Sequence, residues 1–137
     1  MNKGFTLVEL VITAAIIGVL SAMAVIVYSN YVKRSVIATA LSDISSLKND
    51  YELIFNENYS EVDQLNQLSI SKSDYCDITV TAPDPSTLVA TKAITCLFRN
   101  DKFFGENAEI YLSRNSDGLY QCHVQNIEVK FIPKTCV

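Results

Sequence analysis

The sequence predicts an α+β protein, in which a long N-terminal α-helix, membrane-spanning over its first half, packs on a four-stranded antiparallel β-sheet. Three observations lead to this prediction. The first thirty residues are almost all apolar, whereas the rest of the chain has the composition of a soluble domain. Apolar residues then recur at helical spacing as far as residue 55, and four runs of β-forming residues follow residue 75.

Length, charge and cysteine content narrow the possible classes of protein. The 137 residues allow one compact domain, and the formal net charge is -4. Four cysteines, all after residue 75, indicate two disulfide bonds in an exported domain, with four buried thiols as the alternative. No cysteine pair has CxxC spacing, so we expect no metal site and no cofactor. We expect no enzymatic activity, because the lone histidine, His123, is predicted to be an exposed loop residue and nothing pairs a nucleophile with a base.

The first element is a short polar leader, residues 1–4, followed by an apolar stretch, residues 5–30. This stretch is long enough to cross a bilayer as a helix, which needs about 20 residues. A secretory signal would carry its small residues after the apolar core. Here Gly4 comes before the stretch, so cleavage at Gly4 would remove the leader and keep the membrane anchor.

From Phe5 to Tyr28, Glu9 is the only strongly polar side chain. A carboxylate in the hydrocarbon region costs roughly 2.5–3.5 kcal/mol on insertion scales, which makes it a functional candidate. Cleavage after Gly4 would create a positive partner, the new amine of Phe5, about one helical turn away. That amine could pair with its own Glu9, or with the Glu9 of a neighbouring subunit. The alternative is an acid tolerated near the cytoplasmic interface.

The segment from Gly4 to Leu10 resembles the prepilin processing motif of type IV pilins and type II secretion pseudopilins, and the resemblance continues through residues 15–20 and 28–31. It implies that a membrane prepilin peptidase cuts between Gly4 and Phe5 and methylates the Phe5 amine. Major subunits of that family usually carry a proline where this chain has Ile26. Gly18 remains as a weak point in the helix, costing about 1 kcal/mol relative to alanine.

The helix is predicted to continue over residues 31–57 as an amphipathic segment. An apolar stripe, expected to pack on the C-terminal domain, recurs every three or four residues at Val36, Ala40, Ile44, Leu47, Tyr51 and Phe55. From Phe5 the whole helix would measure roughly 78 Å. This exceeds what one small domain can cover, so its first half must be covered by lipid or by other copies of the chain. Residues 58–75 are predicted to form a loop, which contains a glycosylation sequon at Asn58.

The remaining segment, residues 76–137, is predicted to form the sheet, with strands over 76–82, 88–98, 109–114 and 119–122. If the first hairpin centres on Ser86, Cys76 lies opposite Cys96, which favours a Cys76–Cys96 bond. Cys122 is then left to pair with Cys136, a closure that contributes about 3 kcal/mol by loop entropy.

Three short stretches in residues 110–136, including Asp117 to Cys122 and Phe131 to Cys136, look like the C-terminal third of Gram-negative major type IVa pilins. The resemblance implies a pilin fold with a surface loop closed by the last two cysteines. It favours a pilin over a pseudopilin, because major pseudopilins typically bind calcium in this region. The Cys76–Cys96 pair lies outside the general family pattern.

The sequence therefore predicts a structural subunit that polymerises into a type IV pilus, without enzymatic activity. The resemblance implies self-association, a prepilin peptidase, a pilus assembly platform with its ATPases, and roles in adhesion, twitching motility or DNA uptake, with host glycans or DNA as further partners. The expected location is the inner membrane with the C-terminal domain in the periplasm, and the extracellular pilus after assembly. The alternatives are a minor pilin or pseudopilin, and a monomeric membrane-anchored adhesin or DNA receptor.

Overall fold

The computed structural model describes residues 4–57, 73–99 and 101–137. The chain divides into two compact units, Met1–Val32 and Lys33–Val137. Most of the predicted loop 58–75, the sequon at Asn58 and leader residues 1–3 lie outside the described residues.

The long helix expected to reach residue 57 is present, with a one-residue irregularity at Leu47. Helix α1 spans Leu7–Ser46 and helix α2 spans Lys48–Glu57, with Leu47 between them as a turn. The hydroxyl of Ser46 donates a hydrogen bond to the Asp43 carbonyl at 2.7 Å. Thr13 makes the same kind of bond within α1 without interrupting it, and the Tyr51 amide donates to the Leu47 carbonyl at 2.9 Å, so helical bonding continues across the turn.

The second part of α1, together with Leu47 and α2, supplies one side of the core in the unit Lys33–Val137. The buried side chains follow the predicted apolar stripe, except that Phe55 is only half-buried and Ile37 joins them: Val36, Ile37, Ala40, Ile44, Leu47 and Tyr51. The Tyr51 hydroxyl donates to the Thr81 carbonyl at 2.8 Å, which satisfies its polar tip inside this apolar face.

A four-stranded antiparallel sheet, in the order β1-β2-β3-β4, supplies the other side of the core. The strands are β1 (Cys76–Val80), β2 (Ala90–Phe98), β3 (Glu109–Arg114) and β4 (Tyr120–Gln125). Alternate residues of β1 and β3 face the core, as expected for strands with one covered face. A short helix α3 (Asp101–Phe104), which was not predicted, connects β2 to β3.

The prediction that His123 lies in an exposed loop was wrong, because β4 continues three residues beyond its predicted end at Cys122. Tyr111 on β3 faces His123 across the ladder, and the two rings stack with centroids 5.1 Å apart. The imidazole Nε2 and the Ser113 hydroxyl are 2.9 Å apart and share a hydrogen bond. Pairing with β3 therefore holds His123 in the sheet.

Disulfide bonds join Cys76 to Cys96 and Cys122 to Cys136. The register assumed for the first pair was wrong by two residues, since Cys76 faces Phe98 and Cys96 faces Ile78. The turn of this hairpin is wider than assumed: the Leu88 amide donates to the Asp84 carbonyl at 2.8 Å. A shift of two residues keeps the side chain on the same face of the sheet, so the two cysteines still meet, with their Cα atoms 5.4 Å apart.

Candidate assembly site

The predicted processing segment lies outside regular structure. Gly4, Phe5 and Thr6 precede α1 and are all exposed, and among the described residues no atom beyond the chain neighbours lies within 4 Å of the position where Gly4 would carry a Cβ. The peptide bond between Gly4 and Phe5 is therefore open to an approaching molecule, three residues before the helix begins at Leu7.

Glu9 and Thr6 bond to each other at the start of α1. The Thr6 amide and the Thr6 hydroxyl donate to Glu9 Oε2 at 2.9 and 2.7 Å, and the Glu9 amide donates to the Thr6 hydroxyl at 3.3 Å. This is the reciprocal capping box of a helix N-terminus, in which a Thr side chain and a Glu three residues later satisfy free backbone amides. The ion pairs among the described residues do not include Glu9, so its only bonded partner there is Thr6.

The apolar part of α1 is exposed along its length. Large side chains from Leu7 to Tyr31 are all more than half exposed, which is unusual for apolar residues of a folded chain. By length and composition, this helix meets the requirements for crossing a membrane. The stretch therefore offers an apolar surface to lipid or to other subunits.

Gly18 and Ile26 both lie within an unbroken helix. Helix α1 runs through both positions, and nothing lies within 4 Å of the Cβ position of Gly18. Among the described residues, none packs against this position, and the weakening of the helix at Gly18 by about 1 kcal/mol relative to alanine stays a prediction.

A charged cluster fixes α2 to strands β3 and β4. Arg114 on β3 is 6% exposed, and its Nε and Nη2 donate to the two carboxylate oxygens of Glu52 on α2 at 2.7 and 3.1 Å. Tyr120 on β4 donates to the same carboxylate at 2.7 Å. The bond from Arg114 lowers the pKa of Glu52, and burial together with Glu52 raises the pKa of Tyr120.

The same guanidinium also organises the β1–β2 turn. Arg114 Nη1 donates to the Leu88 carbonyl at 2.7 Å and to the Asn115 carbonyl at 3.2 Å. Leu88 has a φ of 59°, a left-handed conformation that costs an L-residue roughly 1–2 kcal/mol. The bond from a buried charge offsets part of that cost.

The C-terminal loop closes on β4 through both a disulfide and main-chain bonds. Beside the Cys122–Cys136 bond, the Val137 amide donates to the Cys122 carbonyl at 2.9 Å and the Val124 amide donates to the Val137 carbonyl at 3.2 Å. Between them, a 3-10 turn at Val129–Phe131 buries the Phe131 ring. The last residues are thus fixed to the edge of the sheet.

Sequence reasoning missed two of these features. The capping box had a readable signal, since Thr6 and Glu9 have the T-x-x-E spacing typical of a helix start. The Glu52–Arg114 pair had none, because the two residues are 62 positions apart and meet only through the packing of α2 on the sheet.

Two family models match the chain. A model of pilin, described as a bacterial filament protein, matches residues 33–137, and a model of the prokaryotic N-terminal methylation motif matches residues 1–25. The first match alone covers well over half of the chain.

Relatives of similar length align over almost the whole chain. It is 31% identical to the type IV major fimbrial protein FimA of Dichelobacter nodosus, over 99% of this chain and 95% of that protein. It is 29% identical to a fimbrial protein of Pseudomonas aeruginosa, over 96% of this chain and 92% of that protein. A probable minor fimbrial protein of Dichelobacter nodosus is 28% identical, over 97% and 93% of the two chains.

Proposed function

This chain belongs to the type IV pilin family and is a pilus subunit, and we propose that it is cut between Gly4 and Phe5 and methylated on the new Phe5 amine before assembly. The observation that carries the proposal is the exposed, non-helical segment from Gly4 to Thr6, directly before a helix that could span a membrane. A peptidase needs an accessible backbone at the bond it cuts. A helical Gly4–Phe5 bond would have its carbonyl engaged by the helix.

We further propose that residues 5–30 hold the unassembled subunit in the inner membrane, with the leader in the cytoplasm and residues 33–137 in the periplasm. Two disulfides support an oxidising compartment for the C-terminal unit. Lys3 supports a cytoplasmic leader.

In the filament, the apolar helices bundle as the core and the sheet units form the wall. An apolar helix outside the membrane needs cover from other helices of the same kind, since its exposed apolar residues otherwise face water. We propose that Glu9 then pairs with the Phe5 amine of a neighbouring subunit. Each pairing would neutralise a carboxylate that is costly to leave alone in an apolar bundle.

The major subunit is the role we propose, with a minor, filament-priming subunit as the second candidate. A major fimbrial protein aligns over nearly the full length, and a probable minor fimbrial protein aligns almost as well. Ile26, in place of the proline usual in major subunits, is the feature that favours the second candidate. The further partners in this proposal are a prepilin peptidase, the assembly platform and its ATPases, with adhesion and twitching motility as the activities of the filament.

The intact mass of the chain in filaments sheared from its native cells tests these proposals. We expect the mass to lack Met1 to Gly4, to carry one added methyl, and to lack the hydrogens of the four thiols. Dominance of this species in the filaments would identify the major subunit, whereas a trace amount would identify the minor one. A full-length chain that stays in the membrane with Met1 attached would contradict processing.

A further inference from the structure

A groove beside the C-terminal loop gathers basic side chains from two distant parts of the sequence. It lies between the start of the packed part of α1 and the 3-10 turn, and is lined by Arg34, Lys130, Phe131, Pro133 and Lys134. With Lys33, which reaches over the same phenylalanine ring, these residues form what we call the basic groove. Nearly 100 residues of sequence separate its two halves, so the fold creates it.

The ring of Phe131 holds two of the ammonium groups in place. Lys33 Nζ lies 5.3 Å and Lys130 Nζ 4.8 Å from the ring centroid, within the range of a cation–π contact. The ring itself is buried, so it is a fixed platform. Arg34 and Lys134 are exposed, with their charged ends available to a ligand.

The charge in the basic groove runs against that of the whole chain. Four of the 11 basic residues lie there, in a protein with a net charge of -4. Among the described residues, Glu128 is the acidic neighbour, and its carboxylate accepts a bond from Lys130 Nζ at 2.6 Å. In the part of the chain that the structure describes, one carboxylate against four cations leaves an excess of positive charge. Such a site favours an anion with several oxygen acceptors.

The position of the basic groove along the chain indicates which anion it meets. Lys33 and Arg34 come directly after the apolar stretch, two and three residues beyond Tyr31. Tyrosines such as Tyr28 and Tyr31 are typical of the boundary between bilayer and water. Basic residues on the outer side also run against the usual excess of positive charge on the cytoplasmic side, so they call for a separate explanation. Phospholipid phosphates lie at this depth.

We propose that the basic groove binds the phosphate groups of anionic phospholipids on the outer face of the inner membrane while the subunit awaits assembly. The proposal rests on the membrane span proposed above. Val129, next to Lys130, is an apolar side chain that is 84% exposed, as suits a residue that enters the interface beside a headgroup. DNA also carries phosphates, but only a lipid is brought to the groove by the apolar stretch itself.

The test places the full chain in nanodiscs made either of phosphatidylcholine alone or of phosphatidylcholine with phosphatidylglycerol. Hydrogen exchange of the amides in residues 129–134 is then measured. We expect slower exchange in the nanodiscs that contain phosphatidylglycerol, and no difference between the two lipids in β2 (Ala90–Phe98). The protection should weaken as salt is added, since exposed charges are screened.

Lys130→Gln and Lys92→Gln form a matched pair of variants. Each lysine pairs with a glutamate and lies over an aromatic ring, Lys92 over Tyr111 at 4.9 Å, but only Lys130 belongs to the basic groove. Lys130→Gln should weaken the lipid-dependent protection about five-fold, and Lys130→Gln combined with Lys134→Gln about 25-fold, because each basic residue contributes about that factor at an anionic surface. Lys92→Gln should leave it unchanged.

Several outcomes would overturn the proposal. Equal hydrogen exchange of residues 129–134 in the two kinds of nanodisc would show that the groove does not respond to lipid charge. If Lys92→Gln lost as much of the protection as Lys130→Gln, the effect would depend only on the net charge of the protein. Protection by short duplex DNA added to phosphatidylcholine nanodiscs, without protection by phosphatidylglycerol, would make DNA the ligand. A chain that fails to stay with either nanodisc would contradict the membrane span itself, a different result from an inserted chain whose exchange ignores the lipid.

Discussion

Glu9 has two separable roles at the scale of the residue. Its carboxylate completes the capping box with Thr6, and in the proposed filament it also neutralises an amine of a neighbouring chain. The first role needs only a hydrogen-bond acceptor, so glutamine can replace glutamate there. The second needs a negative charge.

Glu9→Gln should therefore keep the helix cap but abolish filament assembly. Thr6→Ala removes the capping hydroxyl and keeps the charge, so it should cost about 1 kcal/mol of helix stability and still allow assembly. Electron microscopy of sheared filaments shows whether each variant assembles. Membrane fractionation is the control for insertion. Normal filaments from Glu9→Gln would show that the charge is not needed.

The Glu52–Arg114–Tyr120 cluster makes the stability of the C-terminal unit depend on pH. Because its partner Arg114 lowers the pKa of Glu52, the stabilisation is complete above the ordinary glutamate pKa of about 4.3 and is lost as the pH falls through the lower, folded value. Below that range Glu52 is protonated and the buried guanidinium has no anionic partner.

Glu52→Gln should destabilise the unit by roughly 3 kcal/mol at neutral pH, because it leaves the Arg114 charge buried and unpaired. The variant should also lose part of the decline in stability between about pH 5 and pH 2. Urea denaturation across that range measures both effects. Asp77→Asn, at an exposed ion pair with Arg99, is the matched control and should change stability by less than about 1 kcal/mol. If the free energy of unfolding fell equally with pH in the wild type and in Glu52→Gln, the loss of stability in acid would belong to other groups.

At the scale of the element, the periodicity of apolar residues predicted the helices and strands better than it predicted where the strands end and which residues face each other. The strand β3 was predicted to its bounds, and the apolar stripe of α1 and α2 was largely right, since both follow from alternation and helical spacing. The long helix was predicted correctly apart from the one-residue turn at Leu47, and the end of β4 was missed. The end of β4 depends on pairing with β3, whose residues are distant from it in the sequence.

The two disulfides should differ in what they stabilise. Cys122→Ser with Cys136→Ser should lower stability by about 3 kcal/mol and free the amides of Val124 and Val137 for hydrogen exchange, because only this bond fixes the chain end covalently. The Cys76–Cys96 bond joins strands that already pair, so in the variant Cys76→Ser with Cys96→Ser the amides of Val124 and Val137 should stay protected. Equal exchange of Val124 and Val137 in the two variants would mean that the main-chain bonds alone hold the end.

At the scale of the whole molecule, burial is confined to one unit. All buried side chains among the described residues fall between Val36 and Cys136, and none lies in the unit Met1–Val32. Composition predicted this division, because a segment that is apolar on all sides has no polar face to turn to water and so does not form a core by itself. The basic groove could not be predicted, since it joins Arg34 to Lys134 through the fold.

A fragment of residues 33–137 should therefore fold as a soluble monomer with its core intact. We expect its melting temperature to match that of the full chain in detergent within a few degrees, since the removed residues bury nothing in that core. Calorimetry and sedimentation measure this. A fragment that melts far lower, or that aggregates, would show that the first unit contributes to the fold.

The two disulfides also set how far a subunit can stretch when its filament is pulled. Cys76 and Cys96 are 20 residues apart and Cys122 and Cys136 are 14 apart, so a covalent bond carries the load past each enclosed segment. Fully extended, those segments would lengthen the chain by about 70 Å and about 50 Å. In an oxidised subunit, tension cannot extend either segment. The filament therefore resists elongation even if the β-sheet of the subunit unfolds.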